Sequence, residues 1–146
     1  MYTAEDQIII RATPTQVFRT LADLHRLPEW YVPAQSIDIL QEEPLRPGWQ
    51  FRLGVRTLGG FPLQALGTVL IYHPDSLELV WRGQSLGIKG NSSWLAQPYG
   101  NETCLKHTFI GSGWMLFLSK LLGRNLMTVR ARLANLKALV EKDLIN

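Results

Sequence analysis

The chain has 146 residues, of which 46% are apolar and 18% charged, and its net charge at pH 7 is +3. These values exclude a disordered chain and favour one folded domain spanning residues 1–146. The lone cysteine, Cys104, excludes an internal disulfide, and we expect a cytoplasmic protein. Polar Thr3 and Glu5 argue against a secretory signal. The most apolar run, Trp114–Leu122, contains Lys120 and falls far short of the roughly 20 residues that a membrane span needs.

The first part of the chain predicts one strand and two short helices. Gln7–Arg11 is a short apolar strand. Thr13 is the predicted N-cap of the first helix, and Pro14 occupies its first helical position, where a missing N–H costs nothing. A second short helix covers residues 24–30 and is interrupted at Pro28.

The middle of the chain predicts six strands, because apolar and polar residues alternate between Pro- and Gly-containing turns. The predicted strands are Ser36–Glu42, Trp49–Leu58, Phe61–Tyr72, Leu77–Arg82, Ile88–Gln97 and Thr103–Phe109. The connections are short, and parallel strands need crossovers of about a dozen residues or more. We therefore expect antiparallel pairing throughout.

The last third, residues 114–144, predicts one long helix. Its apolar positions recur at steps of three and four: Leu118, Leu122, Leu126, Val129, Leu133, Leu136, Val140 and Leu144. Gly123 marks a bend, a close contact with a strand, or a tolerated surface glycine. A sheet that curves around such a helix can leave an apolar hollow, and the alternative is an ordinary filled core.

The concave face of that sheet and the helix facing it supply the predicted ligand-binding residues. They are Trp30, Tyr31, Phe51, Val55, Trp81, Ser92, Trp94, Leu105, His107, Phe109, Met115, Leu118 and Leu122. Mostly apolar and aromatic walls with a few polar groups are typical of small-molecule sites. Most of these residues also serve as core in either interpretation.

His107 is the one titratable side chain predicted to face inward. An imidazole there could act as an acid or base near neutral pH, or be a buried core residue with satisfied hydrogen bonds. His25 and His73 lie on other elements, Cys104 is predicted to point outward, and no ligand spacing indicates a metal. We expect no metal, no cofactor and no complete catalytic set.

Basic residues dominate the C-terminal part, where no Asp or Glu occurs between Thr103 and Val140. The basic residues are Lys106, Lys120, Arg124, Arg130, Arg132 and Lys137. We interpret them as a solvated outer face of the helix. The alternative is an interaction module in which this face contacts an anionic membrane surface or a protein. No nucleic-acid-binding motif accompanies them, and no nucleic-acid partner is expected.

Several segments resemble the polyketide cyclase/dehydrase and lipid-transport family of the START-like (SRPBCC, Bet v 1-like) superfamily. They are Ile9–Phe18, Leu21–Asp23, Leu27–Trp30, Pro47-Gly48, Asn101–Thr103 and Leu133–Glu141. The resemblance implies an α+β helix-grip fold, with a curved antiparallel sheet of about six or seven strands around the C-terminal helix and two short helices after the first strand.

The same resemblance implies a function in hydrophobic ligand binding. We expect the protein to bind or carry a lipid, isoprenoid or polyketide-like molecule in the internal cavity, as a monomer or homodimer. The alternative is a cofactor-independent cyclase or dehydratase that uses His107. The family shares no catalytic set, so no catalytic residue is carried over.

Overall fold

The computed structural model describes residues 1–56, 60–121 and 124–145, with only the backbone described for 118–121 and 124–126. The strands are β1 (Tyr2–Ile10), β2 (Ala34–Ile39), β3 (Gln50–Arg56), β4 (Pro62–His73), β5 (Glu78–Ser85), β6 (Ile88–Tyr99) and β7 (Glu102–Ser112). The helices are α1 (Pro14–Ala22), α2 (Leu27–Trp30), α3 (Trp114–Leu121) and α4 (Arg124–Ile145), with a 3-10 turn at Leu24–Arg26.

The seven strands form one antiparallel sheet in the order β1-β7-β6-β5-β4-β3-β2. This confirms the predicted fold class. In the β6–β7 register, Trp94 lies opposite His107 and Ser92 opposite Phe109. Residues directly opposite in an antiparallel pair share a face of the sheet, so these four side chains project to the concave side.

The start of α1 confirms the predicted cap. The Thr13 hydroxyl accepts a hydrogen bond from the Gln16 backbone N–H, and the Gln16 side chain accepts one from the Thr13 N–H. Pro28 does not interrupt the second helix as predicted. It lies in the first turn of α2, after the 3-10 turn has ended at Arg26, where a missing N–H is tolerated.

The predicted C-terminal helix is described as α3 and α4, and Leu122 and Gly123 lie outside the described residues. The inner side of α4 is apolar at the predicted spacing, with Val129, Leu133, Leu136 and Val140 each at most 2% exposed. This side packs on β1 and β7. Among the described residues, no helix is long and apolar enough to cross a bilayer.

The predicted strand start at Leu77 is wrong. Leu77 has a φ of 58° and belongs to the turn before β5, which begins at Glu78. Its carbonyl accepts a hydrogen bond of 3.1 Å from the Ala96 N–H, which ties the turn to β6. The pattern of alternating apolar residues does not report this left-handed backbone conformation, which is uncommon for residues other than glycine.

Candidate functional site

A cavity of about 190 Å³ separates the concave face of the sheet from α3 and α4. The side chains on its walls include Tyr31, Phe51, Leu53, Val55, Leu63, Ala65, Trp81, Ile88, Ser92, Phe109, Met115, Leu116, Val129 and Arg132. Its volume exceeds that of an engineered cavity of about 150 Å³ that binds benzene. It is smaller than the roughly 300–1,000 Å³ typical of sites for drug-sized ligands. A compound of one or two rings matches the space.

The predicted ligand-binding residues divide into three groups. Those that line the cavity are Tyr31, Phe51, Val55, Trp81, Ser92, Phe109 and Met115. Those that do not reach it are Trp30, Trp94, Leu105 and His107, each at most 1% exposed. Leu122 and the side chain of Leu118 lie outside the described part of the chain. Four residues line the cavity without having been predicted as ligand contacts: Leu63, Ala65, Val129 and Arg132.

Aromatic rings fill the interior beside the cavity. The Trp94 ring stacks on the His107 ring with a centroid distance of 3.6 Å and an angle of 2° between the planes. Trp30 meets Trp94 edge-on at 5.1 Å, and Trp81 stacks at 5.8 Å. The interior therefore combines the two alternatives considered from the sequence, a filled core and an apolar hollow.

Glycines on two strands shape the open part. Gly83 of β5 lines the cavity, and a Cβ added there would meet no atom within 4 Å. Gly67 of β4 has the opposite role, because a Cβ there would overlap the ring of Phe51. The Phe51 ring thus lies close against β4, while the space in front of Gly83 stays empty.

Arg132 of α4 is only 6% exposed and lines the cavity. Its Nε donates to the Val32 carbonyl at 2.6 Å, and its Nη1 donates to His107 Nε2 at 3.3 Å. The guanidinium carbon lies 4.0 Å from the centroid of the Tyr31 ring. In the described part of the chain no carboxylate forms an ion pair with it. The prediction that Arg132 belongs to a solvated face is therefore wrong.

Burial lowers the pKa of Arg132 from its ordinary value. An arginine guanidinium nevertheless stays protonated in proteins near neutral pH. The cavity wall thus carries a buried positive charge.

His107 serves as the acceptor for this guanidinium. Arginine has only donors, so His107 Nε2 must accept and the proton must lie on Nδ1, which donates to the Ser93 carbonyl at 3.1 Å. Burial and the Arg132 charge lower the pKa of His107 to about 3, against the raising effect of the Ser93 hydrogen bond. The ring is neutral and does not line the cavity, so it lacks the substrate access that an acid or base requires.

Tyr31 and Ser92 add a hydroxyl pair to the same wall. The Tyr31 hydroxyl and Ser92 Oγ are 2.7 Å apart, and either can donate to the other. Both residues line the cavity, and Ser92 is 2% exposed. Together with Arg132, whose guanidinium carbon lies over the Tyr31 ring, they make one polar side of the cavity. Arg56, Gln84, Ser85 and Thr128 also line the cavity, and most of the remaining wall is apolar.

The basic side chains described on the outer surface of the segment 103–140 are paired with carboxylates. Lys106 lies 3.2 Å from Glu5, Arg130 lies 3.0 Å from Asp6, and Lys137 lies 2.6 Å from Glu141. Two of these partners come from β1, far away in the sequence. The absence of Asp and Glu from the segment 103–140 therefore suggests a stronger positive surface charge than the folded protein has. The side chains of Lys120 and Arg124 lie outside the described residues.

A second depression of about 290 Å³ lies along residues 28–35, with Arg56 and Asn135. Several of its lining residues, including Glu29, Val32 and Pro33, are exposed, so it is a surface groove. The space between the sheet and the helices is the stronger candidate site, because apolar and aromatic side chains make up most of its walls. Across the described ranges, no group of three or more His, Cys, Asp or Glu residues is placed to hold a metal ion.

A family model described as "Polyketide cyclase / dehydrase and lipid transport" matches residues 1–141. No curated protein gives a significant match. Solved structures with the same fold include a Thermus thermophilus protein (19% identity, TM-score 0.80, covering 97% of this chain and 99% of that chain). The Zhui aromatase/cyclase of a Streptomyces species has 16% identity and a TM-score of 0.76 over 98% and 95% of the two chains. A START superfamily protein of Mycobacterium smegmatis has 19% identity and a TM-score of 0.77 over 97% and 99%.

Proposed function

Because the chain belongs to the polyketide cyclase/dehydrase and lipid transport family, we propose that it binds a hydrophobic small molecule in the cavity between the sheet and α4. The observation that carries the proposal is the 190 Å³ space itself, since it is walled mainly by apolar and aromatic side chains. A void of this kind forgoes packing contacts that a filled core would make. A bound apolar molecule would restore them.

The walls account for affinity through burial of apolar surface. A ligand that buries about 200 Å² of apolar area gains roughly 5 kcal/mol at about 25 cal/mol per Å². Part of that gain offsets the lost freedom of the bound molecule. Phe51, Trp81 and Phe109 supply flat faces for a ring, and the Tyr31–Ser92 hydroxyl pair can orient one polar group.

The function proposed is binding without turnover. Cyclisation or dehydration by proton transfer requires an acid or base within reach of the substrate. The candidate for that role, His107, is neutral, fully buried and bonded through both ring nitrogens. In the described part of the chain, the polar side chains that line the cavity include no carboxylate and no histidine; they are Tyr31, Arg56, Gln84, Ser85, Ser92, Thr128 and Arg132.

Purified protein is expected to retain an apolar small molecule. Native mass spectrometry, or solvent extraction followed by lipid and small-molecule analysis, would detect it and give its mass. We expect a compound of one or two rings, or a short chain of similar volume, because such a compound matches the cavity volume of about 190 Å³. Repeated absence of any bound compound, together with failure to bind added apolar probes, would contradict the proposal.

Replacing Gly83 with leucine is expected to weaken binding of a neutral apolar probe, 2-naphthamide, by at least about tenfold. The new side chain would enter the space where a Cβ meets no neighbour, and it would occupy much of the cavity. A tenfold loss corresponds to about 1.4 kcal/mol. Isothermal titration calorimetry of both proteins measures the change.

The matched control is Arg82→Leu. Arg82 precedes Gly83 on β5, and alternation along a strand points its side chain to the other face. This variant adds the same leucine to the same strand outside the cavity, so its affinity should match that of the wild type. Equal affinities for the Gly83→Leu and Arg82→Leu variants would show that the probe binds elsewhere.

A further inference from the structure

We propose that the cavity selects apolar acids, and that Arg132 binds the carboxylate of the ligand. The inference rests on the proposed function and names its ligand class. It starts from a charge that the fold buries beside an empty, apolar space.

The groups around Arg132 are neutral. The Val32 carbonyl, the uncharged His107 imidazole and the Tyr31 ring contact its guanidinium, and none of them carries a negative charge. Transfer of a charge from water into a protein interior costs several kcal/mol unless an opposite charge accompanies it. A cation–π contact recovers only part of such a cost. An anionic ligand would supply the missing counter-charge.

The guanidinium also has donors to spare. It carries five N–H groups, and the hydrogen bonds described for it use Nε and Nη1 once each. The Tyr31 ring lies 4.0 Å from the guanidinium carbon but offers no further hydrogen-bond acceptor to the remaining N–H groups. A planar carboxylate fits the parallel N–H groups of arginine better than a single hydroxyl or carbonyl does.

His107 acts as a positioning residue for Arg132. Its ring is stacked on Trp94 at 3.6 Å and bonded to the Ser93 carbonyl, so Nε2 is held at a fixed point facing Nη1. A neutral acceptor orients the guanidinium without neutralising it. A carboxylate at position 107 would have satisfied the charge internally, and the site would then have no need of an anion.

The remaining walls of the cavity determine the apolar part of the ligand. Phe51, Trp81 and Val129 make apolar walls, and Arg132 lies on α4 beside Val129. The combination fits a small molecule with one charged end and an apolar remainder of one or two rings. A neutral lipid or hydrocarbon would leave the guanidinium without a counter-ion.

A matched pair of probes tests the inference on the unmodified protein. 2-Naphthoate and 2-naphthamide have the same ring system and nearly the same shape, and they differ in charge. We expect calorimetry to give roughly 10- to 100-fold tighter binding of the naphthoate, the range for a hydrogen bond to a charged group. Equal affinities would overturn carboxylate selection and leave apolar binding intact, whereas binding of neither probe would count against the proposed function itself.

Two variants assign the preference to Arg132. Arg132→Met should remove most of the preference for naphthoate while naphthamide still binds. Arg130→Met makes the same change on the same helix at an exposed position paired with Asp6, and the preference should persist there. Loss of the preference in both variants, or in neither, would overturn the assignment. The wild-type comparison remains decisive if Arg132→Met does not fold.

Discussion

Lowering the pH from 7 to 4.5 is expected to reduce the free energy of unfolding by about 2–3 kcal/mol through His107. Burial lowers the pKa of this histidine to about 3 in the folded protein. In the unfolded chain its pKa returns to about 6.5. Between these values the unfolded state binds a proton that the folded state does not, so stability rises with pH and is lost on acidification. The loss begins as the pH falls through about 6.5.

Carboxylates contribute in a lower pH range. Hydrogen bonds and ion pairs lower the pKa values of Glu5, Asp6, Glu141 and Asp143 below their ordinary values of 4.5 and 3.8. Their stabilising effect is present above the unfolded-state pKa and is lost as the pH falls through the folded-state pKa. Between pH 6.5 and about 5 the loss of stability therefore comes mainly from the histidine.

Urea unfolding at a series of pH values measures this slope, and His107→Gln is the control. Glutamine retains a carbonyl oxygen that can accept from Arg132, but it does not titrate. The variant should be less stable than the wild type at pH 7 and should lose much less stability down to pH 4.5. Parallel pH profiles for the two proteins would mean that His107 is not the group responsible.

The arrangement of strands and helices was largely predictable because its signals are local. The Thr13-Pro14 cap, the alternation along β3 to β7 and the three-four spacing of Val129, Leu133, Leu136 and Val140 all act over a few residues. The turn at Leu77 and the start of α2 at Leu27 escaped prediction. Both depend on backbone conformations that the apolar pattern does not encode.

The candidate site was harder to predict because it depends on contacts between distant elements. The sequence indicated that Trp94 and His107 face inward, but only the β6–β7 register places them opposite each other. That stack turns His107 away from the cavity and towards Arg132. The number of apolar residues does not show which part of the interior stays empty. The empty part lies at Gly83, where the strand carries no side chain and a Cβ would meet no atom within 4 Å.

The inward position of Arg132 could have been predicted from the sequence. It lies three positions after Val129 and four before Leu136, so the helical period places it on the inner side of α4. Counting charges along the segment grouped it with Arg130, which is exposed and paired with Asp6. Position on the helix was the better guide, because the pairing of basic residues with β1 cannot be read from α4 alone.

Replacing Trp94 with alanine is expected to destabilise the fold by about 3–5 kcal/mol, the range for truncating a buried aromatic residue. Trp94 is fully buried, and the rings of Trp30, Trp81 and His107 pack around it. Domains of this size are typically stable by about 5–15 kcal/mol, so the variant is expected to be only marginally folded. Urea unfolding monitored by far-ultraviolet circular dichroism gives the difference.

Two further substitutions show whether the loss comes from the ring stack. Trp94→Phe keeps a ring and removes an indole N–H that has no hydrogen-bond partner within the described residues, which offsets part of the lost volume. Trp94→Phe should therefore lower the free energy of unfolding by much less than Trp94→Ala does. Trp114→Ala removes the same atoms from a side chain that is 59% exposed and should cost less than about 1 kcal/mol. Trp94 supports the His107 ring that holds Arg132, so Trp94→Phe should also weaken the preference for naphthoate over naphthamide. A stable variant with an unchanged preference would show that the ring stack does not position Arg132.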